Sequence, residues 1–289
     1  MSIVLMLNMK GGVAKTANAV AIAECLADQG YKTLVIDADH QCMASELLLG
    51  EDRLLKCDRG MRTLHDLLKT MLDDEFEEDR IPPYIVENVS NIGEGYANLH
   101  IIPCSIRIDD FQTNMAKARR GYNSTEDFHR DLRAKRTILG KYLRLAYDFV
   151  LVDCPPSMAL QVRQFLASGD AFMIPCIPDR LSVRGSLWLL ERLRRLNVTR
   201  ITPLGTLWTM YRKQAPVHRH MVEEAKKGSA PLDQLPSPFA TVIPNASAIA
   251  AAMEPDINPP SFSAKYTPQF ARMYRELCAE ILGRLNHGA

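Results

Sequence analysis

No stretch restricts the fold of this chain more than the one from Ile3 to Gly30. Ile3-Val4-Leu5-Met6-Leu7 is short, apolar and partly β-branched, as in a strand buried on both faces. Met9-Lys10-Gly11-Gly12-Val13-Ala14-Lys15-Thr16 follows at once. Ala17, Ala19, Val20, Ala21, Ile22, Ala23, Cys25, Leu26 and Ala27 then read as a helix that stops at Gly30. Strand, glycine-rich turn and helix together aim backbone N–H groups and a helix N-terminus at one point, which suits a phosphate. Lys15 adds a cation for β- and γ-oxygens, Thr16 a hydroxyl for Mg²⁺, and Gly11 and Gly12 a permissive backbone. Ala14 fits such a loop only with a negative φ, so a negative φ is expected there. An ordinary βα turn with a chance Gly-Gly pair is the competing reading, and the flanking elements argue against it.

The spelling of the loop is unusual. Counted back from Lys15 and Thr16, Met9 and Ala14 stand where the common Walker A pattern has its outer glycines. KGGVAKT instead resembles the deviant Walker A motif, KGGxGK[ST], of the ParA/MinD (Soj-like) family of P-loop ATPases. The resemblance implies that Lys10, Gly11, Gly12, Val13, Ala14, Lys15, Thr16 and Ala17 bind ATP. It also implies that Lys10 reaches across a nucleotide-sandwich dimer to the phosphates of a second copy.

Two further strand ends carry carboxylates. The run Lys32 to Ile36 delivers Asp37-Ala38-Asp39-His40-Gln41. Carboxylates at i and i+2 beyond a strand can approach a metal and its waters together, as in-line attack of water on a γ-phosphate requires. An Asx-rich turn closing the strand is the plainer reading. The segment resembles the family's DxDxQ motif, in which the second carboxylate orients the water. That role falls on Asp39, with Asp37 supporting Mg²⁺, while His40 departs from the proline common at its position. The run Phe149 to Val152 ends in Asp153-Cys154-Pro155-Pro156-Ser157, a sheet-anchored carboxylate of Walker B type in a spelling close to the ParA-like form. Lys10, Lys15 and Asp39 are thus the expected catalytic residues, and Thr16, Asp37 and Asp153 the expected metal ligands. Downstream, Leu207-Trp208-Thr209-Met210-Tyr211 after Gly205 reads as a strand and resembles the family's G-[VT]-L-x-T-M-[YL] segment. Thr241-Val242-Ile243-Pro244 resembles its TVIP segment, and the two strand ends imply adenine contacts from Met210 and Pro244.

The motifs span the chain from Met1 to about Pro244, leaving about Gly50 to Asn98 and Ala116 to Tyr147 unmatched. With 289 residues, 47% of them hydrophobic, and strands alternating with helical stretches, the chain can bury one large core. The expected fold is α/β, a doubly wound, mostly parallel sheet with helices on both faces, of the ParA-like (SIMIBI) P-loop NTPase kind. A single domain over 1–289 is expected, with an unmatched insertion around 50–98. Seven cysteines, odd in number and without a C-x-x-C pair, suit a reducing cytoplasm. The first apolar run is only a strand long, so neither a signal peptide nor a bilayer span is expected. A strand beginning at Ile3 also leaves no room ahead of it for a helix-turn-helix.

The net charge of +1 does not announce nucleic acid, so any DNA surface must be local. The stretch Glu191 to Arg200 is arginine-rich on a helix begun near Ser182, and Arg212, Lys213 and Arg219 follow the next strand. A solvated helix face would look the same. In the family an arginine matching Arg192 belongs to the DNA surface, which implies DNA binding by Arg192, Arg195, Arg212, Lys213 and Arg219. The acidic run from Asp73 to Asp79 reads as a solvated loop. Phe270, Met273, Tyr274, Leu277, Cys278, Ile281, Leu282 and Leu285 make an amphipathic helix whose polar face mixes both charges, fitting a helix docked on the sheet better than one on a membrane. The resemblance therefore implies an ATPase needing ATP and Mg²⁺. It would dimerise on ATP, bind DNA non-specifically on the nucleoid and work with a ParB-like centromere-binding or cargo-adaptor protein. A MinD-like membrane-positioning ATPase is the alternative. A metabolic enzyme of the superfamily, such as an amide ligase or an iron–sulfur carrier, is a third class.

Overall fold

The computed structural model describes residues 2–198 and 200–287; Thr199, within the arginine-rich stretch, lies outside them. Six parallel strands form one sheet: β1 (Ser2–Met6), β2 (Thr33–Asp37), β3 (Leu99–Ile102), β4 (Phe149–Asp153), β5 (Ala171–Cys176) and β6 (Thr202–Trp208). Their spatial order is β3-β2-β4-β1-β5-β6. The helices are α1 (Lys15–Asp28), α2 (Met43–Leu49), α3 (Glu51–Arg59), α4 (Leu64–Thr70), α5 (Phe111–Arg119) and α6 (Thr125–Ala146), then α7 (Leu160–Leu166), α8 (Arg180–Arg195), α9 (Pro216–Lys227), α10 (Ser247–Ala251) and α11 (Phe262–His287).

Parallel strands need both faces covered, and side-chain alternation divides the work. Val4, Met6, Val35, Ile101, Leu151 and Met173 meet a layer that includes α1, α2 and α11. Ile3, Leu5, Leu34, Ile36, Val150, Val152, Phe172 and Ile174 meet a second layer of α4, α6, α7 and α8. The doubly wound architecture is the expected one. α1 is buried almost all round because α11 lies against it, with Tyr274, Leu277, Cys278 and Ile281 each at most 1% exposed. Glu24 of α1 consequently sits at zero exposure. It is paired with Lys265 Nζ at 2.7 Å and accepts from the Tyr266 hydroxyl at 2.7 Å, as a charge at that depth must. α11 thus docks chiefly on another helix, and only in part on β6.

Two expected strands are shorter than their motifs. β6 ends at Trp208, because Met210 turns the backbone to φ +51°. Thr241 to Pro244 forms no strand. Pro238 and Pro244 make only single bridges, to Thr206 and Tyr211, since proline cannot donate to a ladder. The unmatched stretch before β3 closes the sheet edge: Val86 bridges Ile101 in antiparallel sense, and Phe76, Ile81 and Ile85 sink into the second core layer. Phe76 thereby anchors an otherwise exposed acidic run.

Candidate active site

β1, β2 and β4 lie side by side, and their C-terminal ends converge where connections leave the sheet in opposite directions, the usual crevice of open α/β folds. The register puts Asp37 of β2 opposite Asp153 of β4, and Asp153 opposite Met6 of β1. The loop from Asn8 to Thr16 rises directly above them. Asn8 braces it, accepting the Lys10 N–H at 2.9 Å and donating to the Pro175 carbonyl at 2.7 Å. On the other side the Thr209 hydroxyl donates to the Val13 carbonyl at 3.0 Å.

The expectation for Ala14 is overturned. Its φ is +58°, left-handed like the +71° of Gly12, and it stands at the N-cap of α1. The loop must still turn here although the residue is not glycine, and two hydrogen bonds hold the Ala14 carbonyl, from Asn18 N at 3.1 Å and Asn18 Nδ2 at 2.7 Å. No side chain caps the helix and its first turn has no acidic residue, so its N–H groups and positive dipole end are open to an anion.

Below this opening lies a cluster of buried charge. Lys15 is only 6% exposed and donates to the Lys10 carbonyl at 3.3 Å. Burial lowers its pKa, against the pull of the Asp153 and Asp39 carboxylates. Asp37 is fully buried and accepts from Ser45 N at 2.9 Å, Ser45 Oγ at 2.6 Å and Asp39 N at 3.1 Å. Desolvation still outweighs those donors and pushes it up to about 6. Asp153 is more extreme. It is fully buried and neither carboxylate oxygen completes a hydrogen bond. Burial and the Asp37 charge push it up to about 8, although Thr16 and Lys15 favour the ionised form. A buried, unpartnered carboxylate beside a hydroxyl and a second carboxylate is a hard oxygen donor set that fits Mg²⁺. Among the described residues no cluster of three or more His, Cys, Asp or Glu could hold a metal, so such an ion would need phosphate oxygens as well.

A cleft of about 480 Å³ opens over these groups, lined by Gly11, Gly12, Lys15, Thr16, Asp39 and His40 among others. A groove of about 640 Å³ between α8 and α9 is larger but holds neither the glycine loop nor the carboxylates, so the chemistry belongs to the smaller cleft. Met43, Leu47 and Met253 also line the cleft and were missed in the sequence. The i, i+4 spacing of the first two beyond DADHQ was an available signal, whereas Met253 had none. Met210 and Pro244 lie outside the cleft wall, in the segment tied to the loop through Thr209. Lys10 also lies outside it. Its ammonium turns to Asp179, which caps α8 by accepting from Ser182 N at 2.7 Å. An aspartate just ahead of a helix was a legible N-cap, yet nothing in the sequence linked it to Lys10.

The basic residues are exposed and divided. Arg192 and Arg195 ride on the last turns of α8, where Arg195 pairs with Glu191 at 2.8 Å. Arg212 and Lys213 occupy the loop after β6, and Arg219 lies on α9.

The profile of the AAA domain family matches residues 1–203. The chromosome-partitioning ATPase Soj of Treponema pallidum is 28% identical over 281 residues, 96% of this chain and 95% of that protein. The chain belongs to the AAA domain family, on its ParA/Soj branch. Among solved structures, a plasmid partition protein of Borrelia burgdorferi bound to AMPPNP matches with a TM-score of 0.70 at 19% identity, over 100% of this chain and 99% of its own. The cobyrinic acid a,c-diamide synthase of Mycobacterium smegmatis, with a bound ATP analogue and magnesium, matches with a TM-score of 0.68 at 21% identity, over 100% and 97%. These two likenesses speak for the fold alone, which hosts more than one chemistry.

Proposed function

We propose that this ParA/Soj-type chain is a Mg²⁺-dependent ATPase that joins two copies face to face on ATP, binds duplex DNA without sequence preference, and hydrolyses ATP to release it. The purpose is to segregate or position a plasmid, chromosome or other cargo in the cytoplasm, on the nucleoid. The observation that carries the reading is the buried, unpartnered Asp153 carboxylate beneath Lys15, Thr16 and the uncapped start of α1.

The N–H groups of α1 and the Lys15 ammonium hold phosphates. Thr16, Asp37 and Asp153 would hold Mg²⁺, which when bound supplies positive charge to the β- and γ-phosphates. Asp39 orients the attacking water. Its side chain is 13% exposed, and its Oδ2 has no hydrogen-bond partner among the described residues. We assign the adenine contacts to Met210 and Pro244, joined by Met253 on the cleft wall. Lys10 completes the site of the second copy, and Arg192, Arg195, Arg212, Lys213 and Arg219 meet DNA phosphates. A ParB-like or cargo-adaptor protein would stimulate turnover. The apolar face of α11 is spent on α1, which favours DNA over a MinD-like membrane attachment.

Asp39→Ala tests the reading. It should bind a fluorescent ATP analogue as wild type does, accumulate as an ATP-dependent dimer and turn over at least about 10²-fold more slowly. Lys15→Ala should not dimerise. A wild-type protein that neither hydrolyses Mg-ATP nor gains mass with it by light scattering sinks the proposal. Sedimentation with anionic liposomes and ATP separates the membrane alternative from DNA binding.

A further inference from the structure

His40 stands where the family pattern commonly has proline, and it stands in the cleft. The loop after β2 is built from two successive Asx turns. Asp37 Oδ1 accepts the Asp39 N–H and Asp39 Oδ1 accepts the Gln41 N–H, each at 3.1 Å. The Gln41 side-chain nitrogen lies 2.9 Å from His40 Nε2. An amide nitrogen can only donate, so Nε2 accepts, and the neutral ring carries its proton on Nδ1. That nitrogen faces Asp39 Oδ1 at 3.7 Å. The Gln41 backbone N–H donates to Oδ1 and the His40 ring stands beside the same oxygen, while Oδ2 has no partner among the described residues.

We infer that His40 is a positioning residue for Asp39: with Gln41 it turns Oδ1 into the loop and leaves Oδ2 to receive the proton of the attacking water. The inference rests on Asp39 being the water-orienting carboxylate. A proline at this position could offer no such N–H.

The test is steady-state Mg-ATP hydrolysis by the full chain at pH 8, for wild type, His40→Ala and His40→Gln. His40→Ala should lose kcat about tenfold at pH 8 with KM unchanged, since a positioning effect lies below the 10²-fold or more of the acid–base group itself. His40→Gln keeps a side-chain N–H. It should restore most of kcat at pH 8, with KM again unchanged. His40→Ala with wild-type kcat, or His40→Gln no faster than His40→Ala, overturns the role of His40 alone. A change confined to KM does so too, marking His40 as a nucleotide contact. Wild-type-like turnover in Asp39→Ala removes Asp39 from the mechanism, and His40 with it.

Discussion

The Lys10 ammonium lies 3.2 Å from the Asp179 carboxylate, tying the phosphate loop to the first turn of α8. Both side chains are about a third exposed, so the pair is worth roughly 0.2–1 kcal/mol, but it points Lys10 away from its own cleft. To serve a second copy, Lys10 must leave Asp179. Asp179→Asn keeps an oxygen to cap α8 and removes the opposing charge. It should lower the protein concentration needed for the ATP-dependent dimer about two-fold. Lys10→Ala should bind ATP almost normally as a monomer and fail to dimerise, because the cation that offsets repulsion between two buried nucleotides is gone. Light scattering against ATP concentration reads both, and a Lys10→Ala dimer would show the loop to be only an imperfect P-loop.

The paired carboxylates make stability depend on pH in an unusual direction. Asp153 is pushed up to about 8 and Asp37 to about 6, both above their unfolded values near 4, so between those limits the folded chain binds more protons than the unfolded one. Without nucleotide, their contribution is complete below about pH 4 and is lost as pH rises through 6 and then 8. Mg²⁺ with ATP should reverse the trend, its stabilising effect growing with pH as it replaces the protons. Asp153→Asn should flatten the pH dependence of the nucleotide-free protein and raise its melting temperature near pH 8, at roughly 2–4 °C per kcal/mol recovered. Thermal melts with and without Mg-ATP decide it. A melting temperature that climbs from pH 5 to 8 without nucleotide contradicts the account.

On α8 the two arginines should not count equally. Arg195 already has Glu191 at 2.8 Å, whereas Arg192 has no ion-pair partner among the described residues. Arg192→Glu should weaken binding to arbitrary duplexes and lower the salt slope by about 1, with Arg195→Glu doing less. Anisotropy titrations at several salt concentrations measure the slopes. Equal slopes in wild type and both variants would mean that these cations merely face water.

The left-handed Ala14 is strained where glycine would not be. A non-glycine residue at φ +58° costs about 1 kcal/mol, so Ala14→Gly should raise the melting temperature by a few degrees without weakening ATP. Differential scanning calorimetry beside nucleotide titration tests it. A lower melting temperature would mean that the added freedom of the unfolded chain outweighs the relief.

Periodicity and local chemistry were enough for the strands β1, β2, β4 and their loops. Each apolar run is buried on both faces, so its pattern needs no distant partner to be read; β1 runs into the glycine loop, and β2 and β4 each close on an aspartate. The placement of Lys15, Thr16, Asp37, Asp39 and Asp153 at the ends of these strands and their loops was legible for that reason. Thr241 to Pro244 was misread as a strand because an apolar run looks alike whether it ladders or makes one bridge, and only the position of Pro238 and Pro244 against β6 decides. The positive φ at Ala14 lies in a loop held by Asn8 from within, by Asn18 of α1 and by Thr209 beyond β6, and only the last of these comes from a distant part of the chain. What the sequence could not hold were relations across long loops: Asp37 facing Asp153 across two strands, Lys10 turned to Asp179, Met253 on the cleft wall, and α11 lying on α1. These follow from the strand order, and that order is fixed by which faces bury each other, a property of the folded chain as a whole.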